Sequence, residues 1–352
     1  MHNLIIYIFF LNLYLFLANK NLIFKKYEIM KMNKHKEIDI YSLENEVNKK
    51  NIIFGIIEKY SLNTVLPFFK SLIKSGFQNC DIIIFVRFVS KILINYLKKI
   101  GALVFEIPNK YKSIDIIHLR WELYANYLER NKNAYNLVFH CDIRDTFFQK
   151  DVFKYYKTNK SFLGVALEDD TLNNEMNKKW IIDYAGEQKY KLIKNERIIC
   201  LGSVWGTPDK FLEFSEALFK KLKENPQGID QGIANYMFYY EKFLNDCLIK
   251  SDNSGLVMTI GITNREKLFF DLQDNILNFK REIAAVIHQY DRKSDIATKV
   301  FNKYCPELLN IRKLNIISII IIQTFIIILL YKTKLKIKKS IKINLKISKI
   351  II

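Results

Sequence analysis

The chain has 352 residues, half of them hydrophobic and 26% charged, with a formal net charge of +19 at neutral pH. That apolar content excludes an intrinsically disordered chain and is enough for one large buried core or two. Eleven glycines, five prolines and five scattered cysteines exclude a collagen-like chain and a disulfide scaffold, and no CxxC or Cys/His cluster suggests a zinc site.

The charge is concentrated at the ends. Residues 20–36 carry six lysines against Glu28, and residues 332–352 carry eight lysines and no acid. The middle of the chain is only mildly basic, so the excess points to a membrane surface rather than to nucleic acid. In chain order, residues 1–19 contain an apolar run with the length of a signal-peptide core or short anchor. Residues 20–50 are polar and rich in Lys and Asn and read as a linker. From residue 51 to 308 strands and helices alternate. NIIFGIIEKY (51–60), DIIIFVRF (81–88), GALVFEI (101–107) and NLVFHCD (136–142) read as strands. Helical spacing marks 62–77, with Gly76 as a stop signal, then 90–100 and 114–130. Further strands are expected over 161–170, 197–207, 255–261 and 283–291. Helices are expected over 208–225, with Pro208 in the first turn, over 229–243, and over 294–304 with Ser294 as N-cap.

Continuously apolar strands alternating with amphipathic helices predict an α/β fold, a mostly parallel sheet covered by helices on both faces. Residues 314–331, LNIISIIIIQTFIIILLY, have the length and apolarity of a transmembrane helix. The Lys-rich tail after it would lie in the cytosol and the main domain on the other side. That predicts a membrane protein of the ER or Golgi with a lumenal domain.

The strongest local feature is HCDIRDTFFQKDVF (140–153), where a hydrophobic strand ends abruptly in Asp142, Arg144 and Asp145. Acids at the carboxyl end of a buried parallel strand lie where such sheets bind ligands. Carboxylates there suit a hard cation such as Mn²⁺ or Mg²⁺ and the oxygens of a diphosphate. A polar turn with Arg144 paired to an acid is the plainer alternative. Gly202 and Ser203 follow a buried strand, where a small residue permits close approach of backbone to a ligand. Glu168, Asp169 and Asp170 end another strand. No GxGxxG or GxxxxGK[ST] occurs, which argues against an ordinary dinucleotide site or P-loop.

The 140–153 stretch resembles the DxD region of GT-A-fold nucleotide-diphospho-sugar glycosyltransferases. Three further segments resemble that superfamily in the expected order: IICLGSVWGTPDKFLEF, IDQGIANYMFY and AVIHQYDR. The resemblance spans roughly residues 51–305 and implies a GT-A-like fold. It implies transfer of a sugar from a nucleotide-diphosphate sugar to a hydroxyl of a glycan, glycoprotein or glycolipid. Asp142, Asp145 and His288 would be the metal ligands, with Arg144 standing where a strict DxD has its second acid. Arg120, Asp142, Arg144, Gly202 and Ser203 would bind the donor. Asp230 and Gln231 would be the catalytic pair, with Asp230 or Asp170 as candidate base. The cofactor implied is Mn²⁺ or Mg²⁺; the partners are the donor, the acceptor and a membrane, with no nucleic acid. The competing reading is a non-catalytic GT-A-like membrane protein that binds a nucleotide or glycan.

Overall fold

The computed structural model describes residues 49–156, 160–308, 323 and 324. The chain divides into two units, Met1–Val47 and Asn48–Ile352, of which the first lies outside the described residues.

The described part is built on a seven-stranded sheet. Its strands are β1 (Lys50–Glu58), β2 (Cys80–Arg87), β3 (Leu103–Glu106), β4 (Tyr135–Cys141), β6 (Leu163–Thr171), β7 (Arg197–Gly206) and β8 (Leu248–Ser251). They lie in the order β3-β2-β1-β4-β7-β6-β8. Every pairing is parallel except those of β7, which runs antiparallel to β4 and to β6. A buried strand is apolar on both faces whichever way it runs, so the reversal of β7 has no signature in the sequence.

Alternation along each strand feeds two cores. Ile52 and Phe54 of β1, Ile83 and Phe85 of β2, and Val138 of β4 face one. Ile53 and Ile57, Ile84 and Val86, and Leu137 and Phe139 face the other. The first core is closed by α3 (Ile116–Asn131), α6 (Pro208–Glu224) and α7 (Asp230–Tyr239), and the second by α1 (Leu62–Lys74) and α2 (Lys91–Lys99). Local chemistry sets the helix ends. Ser61, Ser90 and Asp115 accept hydrogen bonds from the first-turn amides of α1, α2 and α3. Gly76 takes the positive φ (77°) that turns the chain after α1. Pro208 opens α6. Two helices absent from the sequence reading, α4 (Glu175–Ala185) and α5 (Glu187–Ile193), lie between β6 and β7 in sequence and pack on each other and on α7, and Ser294 is the first residue of α8 (Ser294–Tyr304) rather than its cap.

A smaller three-stranded sheet sits at the carboxyl end of β4. It holds β5 (Thr146–Phe148), β9 (Val257–Thr259) and β12 (Val286–His288) in the order β5-β12-β9. A hairpin, β10 (Phe269–Phe270) and β11 (Ile276–Leu277), lies between β9 and β12 in sequence. In the small sheet His288 pairs with Thr146 and so lies beside Asp145.

The expectation of a C-terminal transmembrane helix is corrected. Among the described residues no helix is long and apolar enough to cross a membrane. A span needs about 20 predominantly apolar helical residues. The longest described helix, α6, has 17 residues and carries lysines and glutamates along its length. Of the 314–331 run only Gln323 and Thr324 are described, and the rest lies outside the described residues, as do residues 1–48 and the Lys-rich tail. The expected membrane partner and the ER or Golgi placement with a lumenal domain rested on that helix and lose their basis with it.

Candidate functional site

β4 delivers the first acid. Its buried strand stops at Cys141, and Asp142 follows with its amide donating to the Gly202 carbonyl at 3.0 Å. The chain then turns tightly through Ile143 and Arg144, and Asp145 leads directly into β5. His288 arrives from β12, more than 140 residues later. Its Nε2 lies 3.7 Å from Asp142 Oδ2 and 3.5 Å from Asp145 Oδ1.

Each carboxylate has one oxygen engaged elsewhere. Arg120 Nη1, from α3, donates to Asp142 Oδ1 at 2.8 Å, and Arg144 Nη2 donates to Asp145 Oδ2 at 3.0 Å. The oxygens left over, Asp142 Oδ2 and Asp145 Oδ1, are those that face His288 Nε2. That nitrogen is buried and makes no hydrogen bond. The three atoms lie within 4.8 Å of one another. Ligand atoms bound to a metal at about 2.1 Å stand about 3.0 Å apart across a right angle and about 3.4 Å apart across a tetrahedral one. The spacing, the donor set of two oxygens and one imidazole, and the orphaned nitrogen therefore fit a divalent cation.

Electrostatics favour the ionised acids. Burial alone would raise Asp142, but Arg120 and then His288 outweigh it and hold the carboxyl well below its usual range. Asp145 is likewise lowered, with burial and Asp142 opposing and His288 and Arg144 prevailing. Asp142 keeps 39% of its side chain open to solvent, whereas Asp145 and His288 are buried. Arg144 is 42% exposed and also reaches Asp291 Oδ2 at 3.6 Å. Beneath the acids lies His140, wholly buried, 4.0 Å from Asp142 Oδ1 and in contact with the Trp121 and Tyr124 rings. Burial, and next Arg120, push it down to about 3, so it is neutral.

Gly202 is required by close approach. A Cβ at this position would stand 2.1 Å from His288 Cε1, 2.4 Å from its Nε2 and 2.8 Å from Asp142 Oδ2. Ser203, its neighbour, pairs with Cys141 in the sheet; its hydroxyl is buried and makes no hydrogen bond.

Asp230 begins α7, and both of its oxygens are engaged. Oδ2 accepts from Arg120 Nη2 at 2.5 Å and from Trp121 Nε1 at 3.0 Å; Oδ1 accepts from the Gln231 amide at 2.7 Å. Arg120 thus bridges Asp142 and Asp230 across the first core. Gln231 accepts from Leu201 N at 3.4 Å and donates to Asn177 Oδ1 at 3.1 Å. Trp205 stacks on Phe139 and is buried, so it packs the core and offers no face to a ligand.

The fold thus brings together Arg120, Asp142, Arg144, Asp145, Gly202, Asp230, Gln231 and His288. Ser203 is near in sequence, but its hydroxyl is buried and makes no hydrogen bond with the cluster's polar atoms. Four participants escaped the sequence reading as site residues: Trp121, His140, Asn177 and Cys200, whose Sγ lies 3.6 Å from His288 Nδ1. His140 and Cys200 stand inside the motif segments and were legible as neighbours, whereas nothing in the sequence marks Asn177.

No protein-family model matches the chain, and no curated protein matches it in sequence. Solved structures do match. The chain is similar to the galactosyltransferase LgtC in complex with donor and acceptor sugar analogues, at 12% identity and a TM-score of 0.43, over 72% of this chain and 95% of that one. It is similar to an active-site mutant of LgtC at 12% identity and a TM-score of 0.43, over 68% and 86%. The bifunctional glycosyltransferase WbbM, in its apo form, matches at 13% identity and a TM-score of 0.45, over 70% and 47%.

Proposed function

We propose that this chain is a glycosyltransferase that moves a sugar from a nucleotide-diphosphate sugar to a hydroxyl of a glycan, glycoprotein or glycolipid, with a divalent cation at Asp142, Asp145 and His288. One observation carries the reading. Four motif segments far apart in sequence supply Asp142 and Asp145, Gly202, Asp230 and Gln231, and His288 to a single cluster at the carboxyl end of β4.

Bound there, Mn²⁺ or Mg²⁺ would supply Lewis-acid stabilisation of charge building on the departing diphosphate. The chain's own groups have separate tasks. Arg144, half-exposed beside the acids, adds guanidinium donors of the kind that suit phosphate oxygens. Gly202, lacking a side chain, leaves room for His288 to stand beside Asp142. Arg120 orients Asp142 and stays charged between two carboxylates. Asp230 holds Arg120 in place and has no free oxygen with which to take a proton. Gln231 lines the site beside it and offers amide contacts to a sugar.

Arg144 in the middle of the motif does not favour the non-catalytic reading, because Asp145 brings a second carboxylate oxygen to the same nitrogen of His288. The test is nucleotide release from a panel of UDP- and GDP-sugars by the full-length chain, with and without Mn²⁺. Metal-stimulated release that disappears in Asp142→Ala is expected. No release from any donor, with no thermal shift on adding UDP or GDP plus Mn²⁺, would overturn the reading.

A further inference from the structure

Past its two acids the motif segment runs through β5 into Gln149, a residue to which the proposed reaction gives no task. Its main-chain amide donates to the Ala285 carbonyl at 2.8 Å, which adds a rung to the pairing of β5 with β12. Its side chain leaves that ladder for β11. Nε2 donates to the Ile276 carbonyl at 2.9 Å and to the Ala284 carbonyl at 2.8 Å. Oε1 accepts from the Ile276 amide at 2.8 Å. Ile276 belongs to β11, and Ala284 and Ala285 lead directly into β12. A carboxamide carries the donor and the acceptor of a peptide unit. Gln149 therefore stands where a further strand residue would, bonded through main chain and side chain to the stretch that ends in His288.

The pairing that it extends is short. β5 and β12 have three residues each. In their register Thr146 faces His288, Phe147 faces Ile287 and Phe148 faces Val286. A slip by one residue would carry His288 about 3.3 Å along the strand and turn its side chain to the opposite face. Nε2 would then leave both Asp142 Oδ2 and Asp145 Oδ1, which it now faces at 3.7 and 3.5 Å. Gln149 pins the two strands at the end away from the cluster, where a slip would have to begin. The other side-chain anchors of β5 run elsewhere. Phe148 N donates to Ser71 Oγ of α1 at 3.0 Å, and Phe148 O accepts from Tyr304 Oη of α8 at 3.1 Å. They hold β5 in the core and do not touch β12.

We propose that Gln149 is a positioning residue that locks the register of β5 against β12 and so places His288 beside Asp142 and Asp145. Its consequence for metal binding rests on the cation site proposed above. The lock itself does not, and the experiment separates the two.

Gln149→Met and Ser71→Ala are compared with the wild type as full-length chains. Methionine keeps the length of the side chain and removes its amide. Alanine at 71 removes an anchor of β5 that does not involve β12. In the metal-free chain, amide hydrogen exchange is followed at β12 and, as the internal reference, at β1. Relative to β1, exchange at β12 should quicken by at least about tenfold in Gln149→Met and not in Ser71→Ala. No change in Gln149→Met, or an equal change in both variants, overturns the lock. Mn²⁺ is then added. Gln149→Met should bind it about 10- to 100-fold more weakly. The ¹⁴N modulation that an imidazole ligand gives to the electron spin echo of bound Mn²⁺ should disappear in Gln149→Met and persist in Ser71→Ala. Wild-type affinity with the ¹⁴N modulation intact in Gln149→Met overturns the positioning of His288. A wild type that binds no Mn²⁺, or binds it without ¹⁴N modulation, removes the cation site, and the lock is then decided by hydrogen exchange alone.

Discussion

Gly202→Ala tests the geometry at its tightest point. The added methyl would sit 2.1 Å from His288 Cε1, 2.4 Å from Nε2 and 2.8 Å from Asp142 Oδ2. Carbon atoms in contact need about 3.5 Å, so the imidazole must retreat by about 1.4 Å. β7 cannot yield in its place, because Gly202 O accepts from Asp142 N and Ser203 pairs with Cys141 on β4. A binding constellation tolerates displacements of roughly 0.5 Å. The retreat therefore separates Nε2 from the two carboxylate oxygens that it faces. Crowding of this kind costs about 1–3 kcal/mol of stability. Mn²⁺ affinity should fall by at least the roughly 100-fold at the upper end for lost support of a metal ligand. Urea unfolding measures the first and Mn²⁺ titration by calorimetry the second. A variant that unfolds with the wild type and binds Mn²⁺ equally well would refute the placement of His288 against Gly202, and with it the three-ligand cluster.

Arg120→Met leaves the buried Asp230 carboxylate and Asp142 without their shared cation; the chain should lose about 3–5 kcal/mol in urea unfolding, and a loss below about 1 kcal/mol would contradict a buried bridge. Asp145→Asn keeps the shape of the turn but removes a charged ligand, so circular dichroism should be unchanged while Mn²⁺ affinity falls by at least about tenfold; wild-type affinity would remove Asp145 from the site. Gly164→Ala is a control away from the acids. Its Cβ would lie 2.2 Å from Trp205 Cε2 and Nε1. It should cost about 1–3 kcal/mol and shift the near-UV signal of Trp205 while leaving Mn²⁺ affinity intact; a parallel loss of Mn²⁺ binding would show that Mn²⁺ affinity follows general stability rather than the cluster.

Much of the site was legible because strand ends and motif order are local. Asp142 and Asp145 were readable as acids closing a buried strand, and Gly202 as a small residue after another. The relation between Arg120 and Asp230 was not, since each reads alone as an ordinary helix residue, and only burial in a common core obliges them to pair. Asp230 shows the consequence. As a helix-start aspartate it reads equally well as a base, and its engagement by Arg120, Trp121 and the Gln231 amide leaves it a counter-ion. Cys200 is a further case, an unremarked strand cysteine until β12 lays His288 against it. The apolar run at 314–331 marks the opposite limit. Apolarity over eighteen residues is a local property, while no described helix meets the length and apolarity of a span.

The sequence by itself determined the alternation of strands and helices, the turn at Gly76, the start of α6 at Pro208 and the abrupt polar end of β4. These depend on side-chain periodicity and on hydrogen bonds within a few residues, and no distant partner is needed to specify them. Tertiary structure decided the reversed direction of β7, which carboxylate oxygens the arginines occupy, and the meeting of His288 with acids more than 140 residues earlier. A buried charge or an unpaired nitrogen is tolerable only beside a complementary group. Which group that is emerges only when the sheets have packed and water has been removed from between them.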